Sequence, residues 1–286
     1  MITLGKLRGF IRLMRPVNCL MMGFAVIVGA VISYPKALIF LWGKIFLGAL
    51  TGFLLTASSM AINDYYDREI DAINEPSRPI PSGLIKPKEA FSYAFLLMVL
   101  GFIASFFTSL LCLIIAALAW IICVTYTTVG KRTGFLGNLL VSACVSVPFI
   151  YGSVAAADKI HENILIFVLM VFLSNTGREV NKGIVDVEGD RARNVKTIAV
   201  CYGEKKAAMI ASALYIFSVF LSPMPWILGL VSFPFVPIVA IADFGLMVSS
   251  ILLLKDFSKG MAKKVKNLAL LSFMAGLIAF LFGTLF

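Results

Sequence analysis

Charge is scarce in this sequence. Asp, Glu, Lys and Arg make up 14% of its 286 residues while 60% are hydrophobic; a typical soluble domain is about 25% charged. A soluble globular chain is thereby excluded in favour of a polytopic membrane protein. Histidine is nearly missing. His161, the only one, stands in a short polar loop, which excludes histidine-rich di-iron oxidation and any Ser-His-Asp triad that does not recruit it. Cys19, Cys112, Cys123, Cys144 and Cys201 form no C-x-x-C pair, so inert buried thiols are expected. No cleavage pattern separates Lys6, Arg8, Arg12 and Arg15 from the first apolar stretch, so no removable signal peptide is expected. Gly130-Lys131 lacks the upstream glycine of a phosphate-binding loop.

What is abundant is apolar sequence in runs of membrane-spanning length, about 20 residues each. Nine spans are expected, near 16–34, 44–62, 90–107, 110–128, 135–156, 163–181, 206–222, 226–254 and 267–285. Residues 90–128 are interrupted only by Thr108-Ser109. As one helix they would be about 57 Å long, too long for a hydrocarbon core of about 30 Å, so two spans are required. The expected fold is all-α: nine transmembrane helices bundled around a central cavity open to cytoplasm and lipid. Residues 1–286 then form one domain, with spans 1–4 and 5–8 as a possible pseudo-repeat to which span 9 is added.

Charge parity supports this count. With nine spans, one face receives the N-terminus and the loops after spans 2, 4, 6 and 8, which carry 22 of the 25 Lys and Arg residues. Lys36, Lys44 and Lys159 are on the other face. The positive-inside rule makes the basic face cytoplasmic. The expectation is a multi-pass plasma-membrane protein with its N-terminus and site inside and its C-terminus outside.

Against that basic background, seven of the 15 acids, five of them aspartates, fall in two segments at the ends of spans 2 and 6. The first is Asn63-Asp64-Tyr65-Tyr66-Asp67-Arg68-Glu69-Ile70-Asp71, the second Asp186-Val187-Glu188-Gly189-Asp190. Asp64, Asp67 and Asp71 are spaced i, i+3, i+7, and Asp186 and Asp190 i, i+4, so each set lines one helical face. Carboxylates so crowded repel one another unless a cation lies between them. Mg²⁺ takes oxygen ligands and is usually shared between carboxylates and substrate phosphates. The metal-site candidates are therefore Asn63, Asp64, Asp67, Asp71, Asp186 and Asp190, and the expected substrate is a phosphorylated or diphosphorylated one.

Other polar residues extend the two sets. Arg78, among Pro76, Pro79 and Pro81 in a stiffened loop that could fold back as a lid, is either a bidentate phosphate ligand or a snorkelling interfacial arginine. Asn175, Glu179, Lys182, Asp186 and Asp190 form one stripe, with Arg178 beside it. That stripe either faces a polar cavity or marks a helix emerging early with an interfacial Glu179–Lys182 pair. Asn18 either caps span 1 or reaches the metal site. Lys131, Arg132, Lys182 and Lys196 supply positive charge on the same face. Asp243, deep in span 8, is either partnered by a basic residue or held protonated, and Gly48-x-x-x-Gly52 reads as close helix packing.

On these residues the chain resembles the UbiA superfamily of intramembrane prenyltransferases. The resemblance rests on N-D-x-x-D-x-x-x-D at Asn63–Asp71, R-P-x-P-S-G at Arg78–Gly83, an aromatic-to-lysine segment at Tyr126–Lys131 and D-x-x-x-D at Asp186–Asp190, and it spans essentially the whole chain. It implies a helical bundle in which two Mg²⁺ ions, held by the two aspartate motifs, grip an allylic prenyl diphosphate whose tail lies in an apolar tunnel. It also implies catalytic roles for Asp67, Asp71, Asp186 and Asp190, and substrate binding by Tyr126. The wording from Gly177 to Asp190 is most similar to the branch that forms the second ether bond of archaeal membrane lipids. That branch implies geranylgeranyl diphosphate as donor and an amphiphilic, anionic acceptor, geranylgeranylglyceryl phosphate, with Glu179 orienting its hydroxyl or taking its proton.

The alternatives are a chlorophyll synthase-like enzyme and a 4-hydroxybenzoate-type aromatic prenyltransferase. Chlorophyll synthases place an acid where Gly183 stands here, and 4-hydroxybenzoate enzymes usually lack the Val-Glu-Gly-Asp wording. CDP-alcohol phosphotransferases need an acidic-Gly segment and an Ala-Arg pair, where this chain has Leu173-Ser174-Asn175-Thr176-Gly177. An ion-coupled transporter remains a different class, but its acids lie near the bilayer midplane rather than at one face. Beyond substrates and the lipid bilayer, no nucleic acid and no obligate protein partner is expected.

Overall fold

The computed structural model describes residues 4–192 and 194–286, apart from the side chains of Lys131 and Arg132. The expected anion contacts of Lys131 and Arg132 therefore lie outside the described residues. Among those residues, nine helices are long and apolar enough to cross a membrane. Spans 1 to 5 are Pro16–Ser33, Trp42–Asn74, Pro87–Thr108, Leu110–Thr128 and Phe135–Ala157. Spans 6 to 9 are Ile164–Val185, Glu204–Leu221, Phe235–Lys255 and Lys259–Leu285. The break between spans 3 and 4 falls at the expected dipeptide, and its cause is local. Ser109 adopts an extended conformation and its Oγ accepts the Cys112 amide at 3.1 Å, capping the next helix.

Two expectations need correction. Residues 226–234 do not belong to span 8: Met224–Ile227 is a separate short helix, Gly229 turns at φ 67°, and span 8 starts at Phe235 after Pro234. The stripe after span 6 is not one helix either. Span 6 ends at Val185 and a new short helix runs Val187–Ala192, although the Asp190 amide still donates to the Asp186 carbonyl at 3.0 Å.

Span 2 is 33 residues long, about 50 Å at 1.5 Å per residue. It outruns a hydrocarbon core of about 30 Å, and the excess carries the first acidic set beyond the apolar layer. Gly48 lies against Tyr151 and Val26, and Gly52 against the Met22 carbonyl and Val26, so the expected close packing of this pair is present. Spans 1 and 5 approach backbone to backbone: a Cβ on Gly29 would collide with the Phe149 carbonyl, and one on Gly152 with that of Val26. An amphipathic helix, Leu4–Met14, precedes span 1. Its Leu13 packs with Ile80 and Ile85 in one apolar cluster, and Arg12 donates to the Ser77 carbonyl at 3.0 Å. This helix pins the proline-rich loop in place.

At the opposite end of the bundle, Phe149, Phe167, Phe235 and Phe280 are all buried. The Phe167 ring meets Phe280 edge-on at 4.8 Å between centroids, and Phe235 stacks on Phe280 at 6.1 Å.

Candidate active site

Between the charged end and this aromatic floor runs a cavity of ≈ 280 Å³. Its rim includes Arg15, Asn18, Asn63, Glu75, Arg78, Tyr126, Arg178, Glu179, Lys182, Asp186 and Lys266, and its depth is lined by Met170, Leu270, Phe273, Leu277, Phe280 and Phe149. From Lys266 to Phe280 span 9 descends fourteen residues, about 21 Å. An amphiphile with an anionic head and a long apolar tail fits such a space.

The first acidic set is buried: Asp64, Asp67 and Asp71 are 2%, 5% and 5% exposed. Their charges are answered by arginines that line the cavity in front of them. Arg15 Nη2 donates to Asp64 Oδ1 at 2.5 Å. Arg78 Nη1 donates to Asp71 Oδ2 at 2.5 Å and to Asp64 Oδ1 at 3.3 Å. Asn63 Nδ2 donates to Asp67 Oδ2 at 2.9 Å. Burial alone would lower the Arg78 pKa, but Asp64 and Asp71 beside it hold it above its ordinary value; the guanidinium is permanently charged. Arg78 lines the cavity. Glu75, at the same rim, is pushed up by burial, yet the Lys263 ammonium at 3.2 Å together with Arg78 and Lys266 lowers it on balance.

The second set divides. Asp186 lines the cavity, whereas Asp190 is 3% exposed and lies behind it. Upstream, Asn175, Glu179 and Lys182 line the cavity as their spacing predicts. Glu179 accepts from Arg178 at 3.4 Å and from Lys182 at 3.3 Å. The two sets are tied together by Asn74, whose Nδ2 donates to the Asp186 carbonyl at 3.3 Å and whose Oδ1 accepts the Gly189 amide at 3.1 Å. Gly189 is required there, because a Cβ would collide with the Asn74 carboxamide. That contact gives the Val-Glu-Gly-Asp wording a physical reason.

Other expectations resolve individually. Asn18 lines the cavity and makes no side-chain cap; the N-cap of span 1 is Arg15, at φ 52°. Tyr126 lines the cavity. Lys196 is exposed, outside the cavity wall, with its carbonyl against Gly134. Asp243 lines the cavity and accepts from Ser222 Oγ at 2.5 Å, with no basic partner within 4.0 Å among the described residues. Sequence reasoning missed Arg15 and Lys266; the signal for Lys266 was its place at the head of an apolar stripe, Leu270, Phe273, Leu277 and Phe280.

The donor set suits a hard dication: aspartate oxygens and one carboxamide, with no sulfur or imidazole. Among the described residues no three carboxylate, cysteine or histidine side chains converge as a ready-made cage. Mg²⁺ does not need one, since it binds through one or two carboxylates together with substrate phosphates and water. The residues present fit such an ion.

The sequence profile of the UbiA prenyltransferase family matches residues 19–283. The digeranylgeranylglyceryl phosphate synthase of Methanosphaera stadtmanae is 35% identical over 276 residues, 96% of this chain and 99% of the relative. A solved structure described as giving insights into digeranylgeranylglyceryl phosphate synthase in membranes superposes with a TM-score of 0.73 at 33% identity, covering 98% of this chain and 99% of that one. A UbiA homologue from Archaeoglobus fulgidus, bound to DMAPP and Mg²⁺, shares the fold with a TM-score of 0.66 at 17% identity, covering 95% and 99%. An all-helical membrane bundle, aspartate motifs at one end of a cavity, and a profile match over almost the entire length lead to one conclusion: this chain belongs to the UbiA prenyltransferase family.

Proposed function

We propose that this chain transfers a geranylgeranyl group from geranylgeranyl diphosphate to the free hydroxyl of geranylgeranylglyceryl phosphate, forming the second ether bond of an archaeal-type lipid. The observation that carries the proposal is the cavity, with a charged rim of arginines, lysines and carboxylates above about 21 Å of apolar wall. The name and near-complete coverage of the Methanosphaera relative supply the substrates; the residues supply the requirement that both be anionic and long-tailed.

Mg²⁺, held by Asp64, Asp67, Asp71, Asp186 and Asp190 in our assignment of two ions, would neutralise the diphosphate and stabilise its charge as it leaves. The chain's own residues do the rest. Arg15 and Arg78 stand at the rim, where they can transfer from Asp64 and Asp71 to diphosphate oxygens. The bond between donor C1 and oxygen breaks, its electron pair leaves with the diphosphate, and positive charge develops on the allylic carbon. Leu270, Phe273 and Leu277 line the wall below and exclude the water that would hydrolyse this cation. The acceptor hydroxyl oxygen supplies the electron pair of the new C–O bond. Glu179, at the rim between Arg178 and Lys182, orients that hydroxyl and is placed to take its proton. Lys182, Asn18 and Tyr126 complete the substrate contacts. The whole chain acts as one domain, with its basic face toward the cytoplasm.

The test offers purified protein geranylgeranyl diphosphate with geranylgeranylglyceryl phosphate, 4-hydroxybenzoate or chlorophyllide in parallel and measures product and released pyrophosphate. Ether formation on the glycerol phosphate is expected. Prenylation of either other acceptor with the glycerol phosphate untouched would overturn the acceptor assignment.

A further inference from the structure

The rim carries two cationic centres contributed by different parts of the bundle. Arg15, at the head of span 1, and Arg78, in the loop after span 2, face Asp64 and Asp71. Arg178 and Lys182 on span 6 and Lys266 on span 9 line the same cavity, with Glu179 and Asp186, and Glu75 and Asp186 stand near both Arg78 and Lys266. Glu179 takes Arg178 at 3.4 Å and Lys182 at 3.3 Å. Lys266 is half-buried and has no ion pair within 4.0 Å among the described residues, and the charged groups around it are Asp186, Lys182, Arg178 and Glu75.

Lys266 is the eighth residue of its helix, about 10 Å in from Lys259. A lysine placed inward from a helix end, beside two other cations, repels its neighbours and is costly to bury. An anion arriving between the three relieves both. The stripe Lys266, Leu270, Phe273, Leu277, Phe280 continues inward at spacings of 4, 3, 4 and 3, all on the cavity wall. A head group on Lys266 therefore has an apolar path directly beneath it.

We infer that Arg178, Lys182 and Lys266 form the subsite for the acceptor's phosphate monoester, separate from the Arg15–Arg78 centre that serves the donor diphosphate. This rests on the proposed function. A diphosphate that enters with a dication belongs beside the paired set Asp64, Asp67 and Asp71, with Asp186 reaching it from the second motif; a phosphate monoester without a dication needs direct cations. In a glycerol ether phosphate the hydroxyl lies within two carbons of the phosphate. Anchoring the phosphate on this trio brings that hydroxyl to Glu179, which Arg178 and Lys182 already contact.

The experiment compares wild type, Lys266→Met and Lys266→Arg in lipid nanodiscs. It measures KM for donor and acceptor, and kcat/KM for geranylgeranylglyceryl phosphate against geranylgeranylglycerol, which lacks the phosphate. Lys266→Met should raise the acceptor KM by about 10-fold or more, leave the donor KM unchanged and erode the preference for the phosphorylated acceptor by a similar factor. Lys266→Arg should keep most of that preference. A rise in donor KM matching that for acceptor, or an undiminished phosphate preference in Lys266→Met, would overturn the subsite and leave the proposed function standing. If Lys266→Met fails to accumulate, inorganic phosphate decides with the wild type: competition against acceptor supports the subsite, and competition against donor overturns it. A wild type that prenylates no glycerol phosphate ether overturns both readings.

Discussion

Arg78 Nη1 lies 2.5 Å from Asp71 Oδ2, so the residue that ends the first aspartate motif is paired with the arginine of the loop that follows it. The pair is mostly shielded, with side-chain exposures of 24% and 7%. Asp64 shares the same guanidinium nitrogen at 3.3 Å. The arginine thus does in the free protein what a dication would do in the loaded one: it separates carboxylates that would otherwise repel.

From this follows a stability prediction. Arg78→Gln leaves Asp64 and Asp71 without that charge, and the metal-free protein should lose about 1–3 kcal/mol. Adding Mg²⁺ should stabilise the variant more than the wild type, because the ion restores the missing neutralisation. Thermal melts of detergent-solubilised protein in EDTA and in Mg²⁺ measure both. Equal Mg²⁺ shifts in the two proteins would show that Arg78 and the ion do not neutralise the same carboxylates, and no shift in either would show that the carboxylates gather no cation.

Asp67→Asn and Asp186→Asn should accumulate in membranes as the wild type does, because both carboxylates stand at the charged end rather than in the packed core. Turnover should fall by at least about 10²-fold, roughly 2.7 kcal/mol of transition-state stabilisation. EDTA should abolish wild-type activity and Mg²⁺ restore it. Near-normal turnover in either variant would reduce that aspartate to a charged helix end.

Gly189→Ala tests the bridge between the two motifs. The added Cβ must displace the Asn74 carboxamide, which holds both the Asp186 carbonyl and the Gly189 amide. An overpacking cost of about 1–3 kcal/mol is expected, with turnover reduced more than donor affinity. Asn74→Ala in the same background should add little further, since both changes break the same bridge. Fully additive losses in the double variant would refute the coupling.

Topology is tested by labelling. A cysteine placed between Asp158 and Asn163 should react with an impermeant reagent from outside intact cells, and one at Ser82 should not. The motivation is the division of basic residues, 22 on one face and Lys36, Lys44 and Lys159 on the other. The reverse pattern would invert the assignment of the site to the cytoplasm.

The spans were legible because hydropathy and local chemistry agree, as at Ser109, where a hydroxyl cap marks the break. They failed to agree between Trp226 and Phe233. That stretch stays apolar, so hydropathy overrode the turn signals of Pro223, Pro225, Gly229 and Pro234. The aspartate motifs were legible from spacing. Which carboxylates reach the cavity was not, because the helix breaks at Asp186, where the carbonyl meets Asn74, 112 residues away, and spacing alone carries no sign of that tertiary contact. Arg15 and Lys266 were missed for a related reason. A basic residue at a span's end is the ordinary mark of an interface, and only packing separates one that points into the cavity from one that points into lipid headgroups.

The aromatic floor also governs traffic. Phe149 and Phe280 close the cavity's deep end, with Phe167 and Phe235 buried behind them. The chamber is therefore a cul-de-sac rather than a passage. A tail lowered from the charged end stops against aromatic rings, and the depth of that floor sets how much chain the cavity can take.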